Sequence, residues 1–189
     1  MSLTVFEVAG GKLHPRTVHV PKTRGVAAAA LHALGIGATV TIDAGTATVA
    51  LDSATPEQTA AIVYTLTQFP TVSRVDVGGR TGLTRDDVAV FVPPILVERP
   101  AAEAEVPATI EVSGTASVFE ATLVVELRQG GKVVMKRTVT ASEGAPGRGT
   151  FSTSLVAPEA GAATIAAYAP SAADGTPQHE QDVPVVVKP

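Results

Sequence analysis

Between Val92 and Ala108 the chain reads VPPILVERPAAEAEVPA, with prolines at positions 93, 94, 100 and 107. Proline fixes φ and pushes the residue before it toward extended backbone, so the stretch reads as a stiff, partly extended connector. The apolar pattern differs on its two sides. Before it, helical spacings alternate with strand-like ones; after it, only the period of two survives. Two domains are therefore expected, over residues 1–95 and 105–189, joined by a Pro/Glu/Ala-rich linker at 96–104. At 189 residues and 45% hydrophobic, the chain is long enough for both and too apolar to stay disordered.

In the first half, LTVFEV and LHPRTVHV predict a hairpin around Gly10-Gly11, with Val5, Val18 and Val20 facing inward. RGVAAAALHALG predicts a helix closed by Gly35. ATVTIDAGTATVAL alternates on both sides of Ala44-Gly45, setting Val40 and Ile42 opposite Val49 and Leu51 in a second hairpin. A second helix starts at a capping box, with Thr55 as cap, Pro56 at the first position and Gln58 three residues on. Its stripe is Ile62, Val63, Leu66 and Phe69, and Pro70 forces an exit into a strand from Ser73 through Val75 and Val77. The expected fold of this half is α+β, two helices packed on a mixed sheet.

In the second half, six alternating segments separated by Gly-rich or Pro-rich turns predict an all-β sandwich of the immunoglobulin type. Leu123, Val125 and Leu127 face one way, while Thr122, Glu126 and Arg128 face the other. Gly130-Gly131 supplies a hairpin turn, and Arg137 breaks the alternation of the return strand, which points to a bulge or an edge there. With no Trp and no Cys, the core must hold by aliphatic packing and by Phe119, Phe151 and Tyr168. Glu111, Glu120 and Glu126 are expected on a solvated face, Glu120 being the more covered because it sits inside VFEAT.

A formal charge of −4 provides no basic stripe for phosphates, so nucleic acid is not an expected partner. Absence of Cys removes disulfides, thiolate metal sites and Cys nucleophiles. No G-x-S-x-G, Walker-type, G-x-G-x-x-G or H-E-x-x-H motif occurs. His14 and His19 lie five apart in one strand and fall on opposite faces; His32 sits on the alanine helix and His179 in a loop. Asp86 and Asp87 follow Thr84 and read as a helix start, and Asp174-Gly175 reads as a turn. The expectation is no enzyme: no catalytic, cofactor-binding or metal-binding residue, and no cofactor. The opening MSLTVF has neither a basic nor an apolar leader region, so any export segment is expected to have been removed.

IVYTLTQFPTVSRVDV (62–77) resembles the signature of the GerMN domain of bacterial sporulation and germination proteins, a helix ending in a YTLTQFP-type sequence that leads into a V-x-x-V strand. ATVTIDAGTATVALD (38–52) and LTRDDVAVFVPPILVERPA (83–101) resemble the hairpin and the exit of that domain. IEVSGTASVFEATLVVEL (110–127) is similar to the opening of Gmad2, an immunoglobulin-like domain of spore germination, with Gly149–Phe151 and Ala172–Thr176 as later landmarks. Two departures stand out: the loop before the hairpin is short, and Arg148 stands where Gmad2 relatives often carry Trp.

The resemblance implies a non-enzymatic exported envelope protein, a lipoprotein on the outer face of the cell membrane. It would act as a scaffold or protein-interaction module in sporulation, germination or envelope assembly, with envelope or membrane proteins as partners. Two alternatives are a peptidoglycan or wall-glycan binder and a lipoprotein regulator of a sensor kinase. Against the glycan reading stands the low aromatic content, 4%, with those rings assigned to cores.

Overall fold

The computed structural model describes all 189 residues, and the chain divides into two compact units, Met1–Val92 and Pro93–Pro189. Strands dominate its secondary structure.

In the first unit, β1 (Ser2–Ala9) and β2 (Lys12–His19) form an antiparallel hairpin that buries Val5 and Val18. Helix α1 (Val26–Ala33) follows. It ends in a Schellman arrangement: Gly35, at φ 76°, donates to the His32 carbonyl and Ile36 donates to the Leu31 carbonyl. A four-stranded sheet comes next, built from β3 (Val40–Asp43), β4 (Thr46–Val49), β5 (Arg74–Val77) and β6 (Arg80–Leu83) in that spatial order. Helix α2 (Pro56–Leu66) is the crossover that makes β4 and β5 parallel.

The strands thus divide between two sheets, where one mixed sheet was expected. The reason lies in β3, which is too exposed to extend a common core: Ile42 pairs with Ala47 and is 43% exposed, and Leu51 lies beyond the end of β4.

Helix α2 begins as its sequence predicts. The Thr55 hydroxyl accepts from the Gln58 N–H, and the Gln58 side chain accepts from the Thr55 N–H. Every side chain from Thr59 to Leu66 is buried, a broader face than the apolar stripe alone. The polar residues of YTLTQ explain the difference. The Thr65 hydroxyl accepts from the buried Phe6 N–H at 2.9 Å, and the Gln68 amide donates to the Thr4 carbonyl at 2.8 Å. These bonds supply β1 backbone groups with partners that a neighbouring strand would otherwise provide. Tyr64 packs at 5.4 Å on Phe6, and the Arg85 guanidinium lies 4.5 Å over the Tyr64 ring.

The second unit is a sandwich of eight strands: β7 (Ile95–Arg99), β8 (Ala104–Val106), β9 (Thr109–Ala116), β10 (Thr122–Gln129), β11 (Lys132–Thr140), β12 (Gly149–Val156), β13 (Gly161–Pro170) and β14 (Pro177–Val187). One sheet runs β12-β9-β7 and the other β11-β10-β13-β14-β8. Between them lies an aliphatic core centred on Ile110, Leu123, Val125, Leu127, Leu155 and Ile165, with Phe151 as its aromatic member. Each such side chain taken from water contributes roughly 1.5–3 kcal/mol.

Residues 96–104, expected as a linker, are largely built into this sandwich. Residues 95–99 pair with β9 and residues 104–106 pair in parallel with β14. The prolines bracket these short strands without entering them: Pro94 precedes β7, Pro100 follows it and Pro107 follows β8. The bulge of β11 also sits elsewhere than expected. The register slips at Leu127/Arg128 against Met135/Val133, three residues before Arg137, although β11 is an edge strand as its pattern suggests.

Candidate functional site

Glu126 is the one acidic side chain buried in the molecule, at 5% exposure, contrary to the expectation of a solvated face. Its position follows from strand alternation. Leu127 and Val125 point into the sandwich, so Glu126 and Arg128 point to the outer face of the five-stranded sheet, where residues of both neighbouring strands cover the carboxylate. From β13, the Tyr168 hydroxyl donates to it at 2.8 Å. From β10 itself, Arg128 donates twice, at 2.8 and 3.0 Å, and from β11 the Lys136 ammonium stands 3.4 Å away. Burial alone would push the Glu126 carboxyl up. The bonds from Tyr168, Arg128 and Lys136 outweigh it and hold the group below the usual glutamate value. Arg128 also reaches Glu180 at 2.8 Å and Asp182 at 3.6 Å on β14.

Chemically this cluster is saturated. A general acid or base needs a proton that can leave or arrive at working pH, and a carboxylate held ionised by three donors is a poor candidate. A groove of about 530 Å³ opens beside it, lined by Arg128, Asp182, Gly130 and Val185, but the Arg128 guanidinium there is already committed to acidic neighbours. The network is best described as a clamp across four strands.

Strand β11 presents the sharper surface feature. It is the edge of its sheet, and of its nine residues only Val139 is buried. Val133 and Val134 stand 52% and 39% exposed, with Val156 of β12 exposed and the Met135 sulfur accepting the Val156 N–H at 3.0 Å. Lys132, Lys136 and Arg137 give the strand three positive charges and no negative one. An open edge of this kind carries unpaired backbone groups able to take up a further strand.

The remaining sequence-stated residues are scattered. No three His, Asp or Glu side chains gather as a metal site would require. His14, His19, His32 and His179 are all exposed; His19 and His32 line one groove of about 760 Å³ in the first unit, otherwise walled largely by alanine, glycine and proline. The Asp87 carboxylate accepts from both the N–H and the hydroxyl of Thr84 at 2.8 Å, ahead of a 3₁₀ turn at Asp86–Phe91. Asp174 accepts in the same way from Thr176, which makes its segment a turn. Glu120, expected to be the more covered, is exposed. Phe119, expected in the core, is 75% exposed. Both depart because the backbone turns left-handed at Glu120 and Ala121, so that Ala121, not Phe119, enters the core.

Residues 94–176 match the immunoglobulin-like domain of bacterial spore germination, Gmad2. The matched segment takes in strands β7 to β13 and leaves the first unit and the whole of β14 outside it. No curated protein matches the chain. Among solved structures, the crystal structure of an engineered protein is similar at 16% identity and a TM-score of 0.37, over 68% of this chain and 35% of that one. The chain thus spans about a third of that structure's length.

Proposed function

We propose that the chain is a non-enzymatic, exported envelope protein that works as a protein-interaction module, in the setting of germination, sporulation or envelope assembly. The Gmad2 match over 94–176 supports the setting, since that family is linked to spore germination. The resemblance of residues 62–77 to GerMN supports the same setting for the first unit. A lipid anchor on the outer face of the membrane fits this reading, and a sensor-kinase ectodomain is one partner of the required kind.

The observation that carries the proposal is the open, basic, partly apolar edge at β11. Lysines on an edge strand deter pairing with an identical strand, because like charges would face each other. The same charges favour an extended acidic segment of another protein, whose backbone would complete the ladder while its carboxylates meet Lys132 and Arg137, the two cations of the strand that the Glu126 cluster does not hold.

The test is site-specific cross-linking in the native envelope, with a photoreactive residue in place of Val134. A discrete adduct, lost in a Lys132→Glu/Arg137→Glu variant that leaves the Glu126 clamp intact, is expected. A photoreactive residue in place of the exposed Val90 in the first unit is the control. No adduct from position 134, or the same adducts from both positions, would defeat the reading.

A further inference from the structure

The cleft at the Phe119 end of the sandwich has the build of a ligand site. Phe119 lies between β9 and β10 in a turn fixed by backbone hydrogen bonds, most of them to neighbouring segments. Ser117 N–H donates to the Pro94 carbonyl at 2.7 Å, Ala121 N–H and Ala145 N–H both donate to the Val118 carbonyl, and Ala141 N–H donates to the Ala121 carbonyl at 2.8 Å. Two consecutive non-glycine residues, Glu120 and Ala121, sit at φ 53° and 54°. Left-handed backbone at such residues persists only where surrounding contacts enforce it. Here the enforced turn holds a large aromatic ring out in solvent.

A second device faces it. Between Ala167 and Ala169 the β13–β14 register slips, and His179, opposite that slip, has φ 56°. A bulge re-aims side chains, and His179 and Gln178 both line the cleft that Phe119 lines. The loop before them is braced: Ser171 N–H donates to the Thr176 carbonyl and Gly175 N–H to the Ser171 carbonyl, both at 2.8 Å. The cleft holds about 440 Å³, with Ser117, Glu120, Thr122 and Ser171 completing its polar lining. That volume falls within the range of small-molecule sites.

We infer that this cleft binds a saccharide, with the Phe119 ring stacking on the apolar face of a sugar and Glu120, Gln178, Ser117 and Ser171 meeting its hydroxyls. The chemistry favours this class. An extended peptide pairs along a free strand edge, whereas this cleft is walled by two turns whose Ser117, Ala121, Ser171 and Gly175 N–H groups are already bonded. A polyanion would meet the Glu120 carboxylate. A neutral hydroxyl-rich ligand meets an aromatic platform and side-chain hydroxyl, amide and carboxylate groups. The inference uses none of the β11 edge residues, so it stands or falls apart from the proposed protein contact.

The experiment is a titration of the full chain, labelled with ¹⁵N, with a β-1,4-linked N-acetylglucosamine tetramer, and in parallel with the peptide Ala-Glu-Lys-Ala. Saturable shifts confined to 117–122 and 169–179 are expected with the sugar. Phe119→Ala and Gln178→Ala should each weaken binding about tenfold, on the scale of one lost stacking or polar contact. Their melting temperatures should match the parent, because both side chains are exposed. Absence of shifts at millimolar sugar, shifts unchanged in Phe119→Ala, or a response to the peptide alone would overturn the assignment.

Discussion

The Tyr168 hydroxyl donates to the Glu126 carboxylate across the β13–β10 ladder at 2.8 Å, and the same carboxylate holds Arg128 and stands 3.4 Å from Lys136. A buried charge with this many partners ties strands whose pairing could otherwise slip, because any shift of register would strand it without them. Tyr168→Phe removes one donor and leaves the ring in place. The expected loss is about 1.5–3 kcal/mol, the range for a hydrogen bond to a charged group, read as a lower midpoint in urea with an unchanged slope.

Glu126 also sets a pH dependence. Its carboxyl is held below the value of an unfolded glutamate, near 4.5, so its contribution is complete above that pH and disappears as pH falls through the folded value. Unfolding midpoints taken from pH 7 down to pH 3 should fall, and Glu126→Gln should flatten that fall. Asp87 and Asp174 are lowered too, by bonds from Thr84 and Thr176, but both carboxylates lie open to solvent. Asp87→Asn should therefore change the acid limb far less than Glu126→Gln.

How much of this was legible in the sequence depends on the range of the interaction. The Thr55–Gln58 box, the Gly35 helix stop and the alternation of Leu123, Val125 and Leu127 are local patterns, and each appears where it was read. The burial of Glu126 is not legible there, because its cover comes from residues 10 and 42 positions away, Lys136 and Tyr168, which strand alternation cannot reveal. The exposure of Phe119 is not legible either, because two left-handed residues break the alternation just after it, and neither Glu120 nor Ala121 announces that conformation. Prolines between 93 and 107 suggest a linker because they do exclude helix and long strands. They do not exclude strands of three and five residues set between them.

The capping box gives a prediction confined to the first unit. Thr55→Ala removes the acceptor for the Gln58 N–H while leaving Pro56 at the first position of α2. A loss of about 1 kcal/mol is expected. Thr55→Ser should recover most of it, since the hydroxyl is what matters. A Thr55→Ser variant no more stable than Thr55→Ala would show that the cap contributes nothing here.

Gly114 gives the largest expected effect. It lies in β9, the central strand of the three-stranded sheet, paired with Phe151 on one side and Val97 on the other. Its backbone is ordinary extended backbone, so alanine meets no conformational penalty there. The obstacle is space: a methyl group would run into the Leu96 carbonyl oxygen and stand 3.0 Å from the Cα of Val97. Both are backbone atoms of β7 and cannot rotate away. Gly114→Ala must therefore separate β7 from β9, a strand whose Ile95 and Val97 belong to the sandwich core. About 3 kcal/mol or more should be lost, at the upper end of overpacking, with faster amide exchange along β7. Ser113→Ala, one residue away, should cost under about 0.5 kcal/mol. Equal losses at the two positions would mean that β7 yields readily, and that the close approach at Gly114 is not what holds it in register.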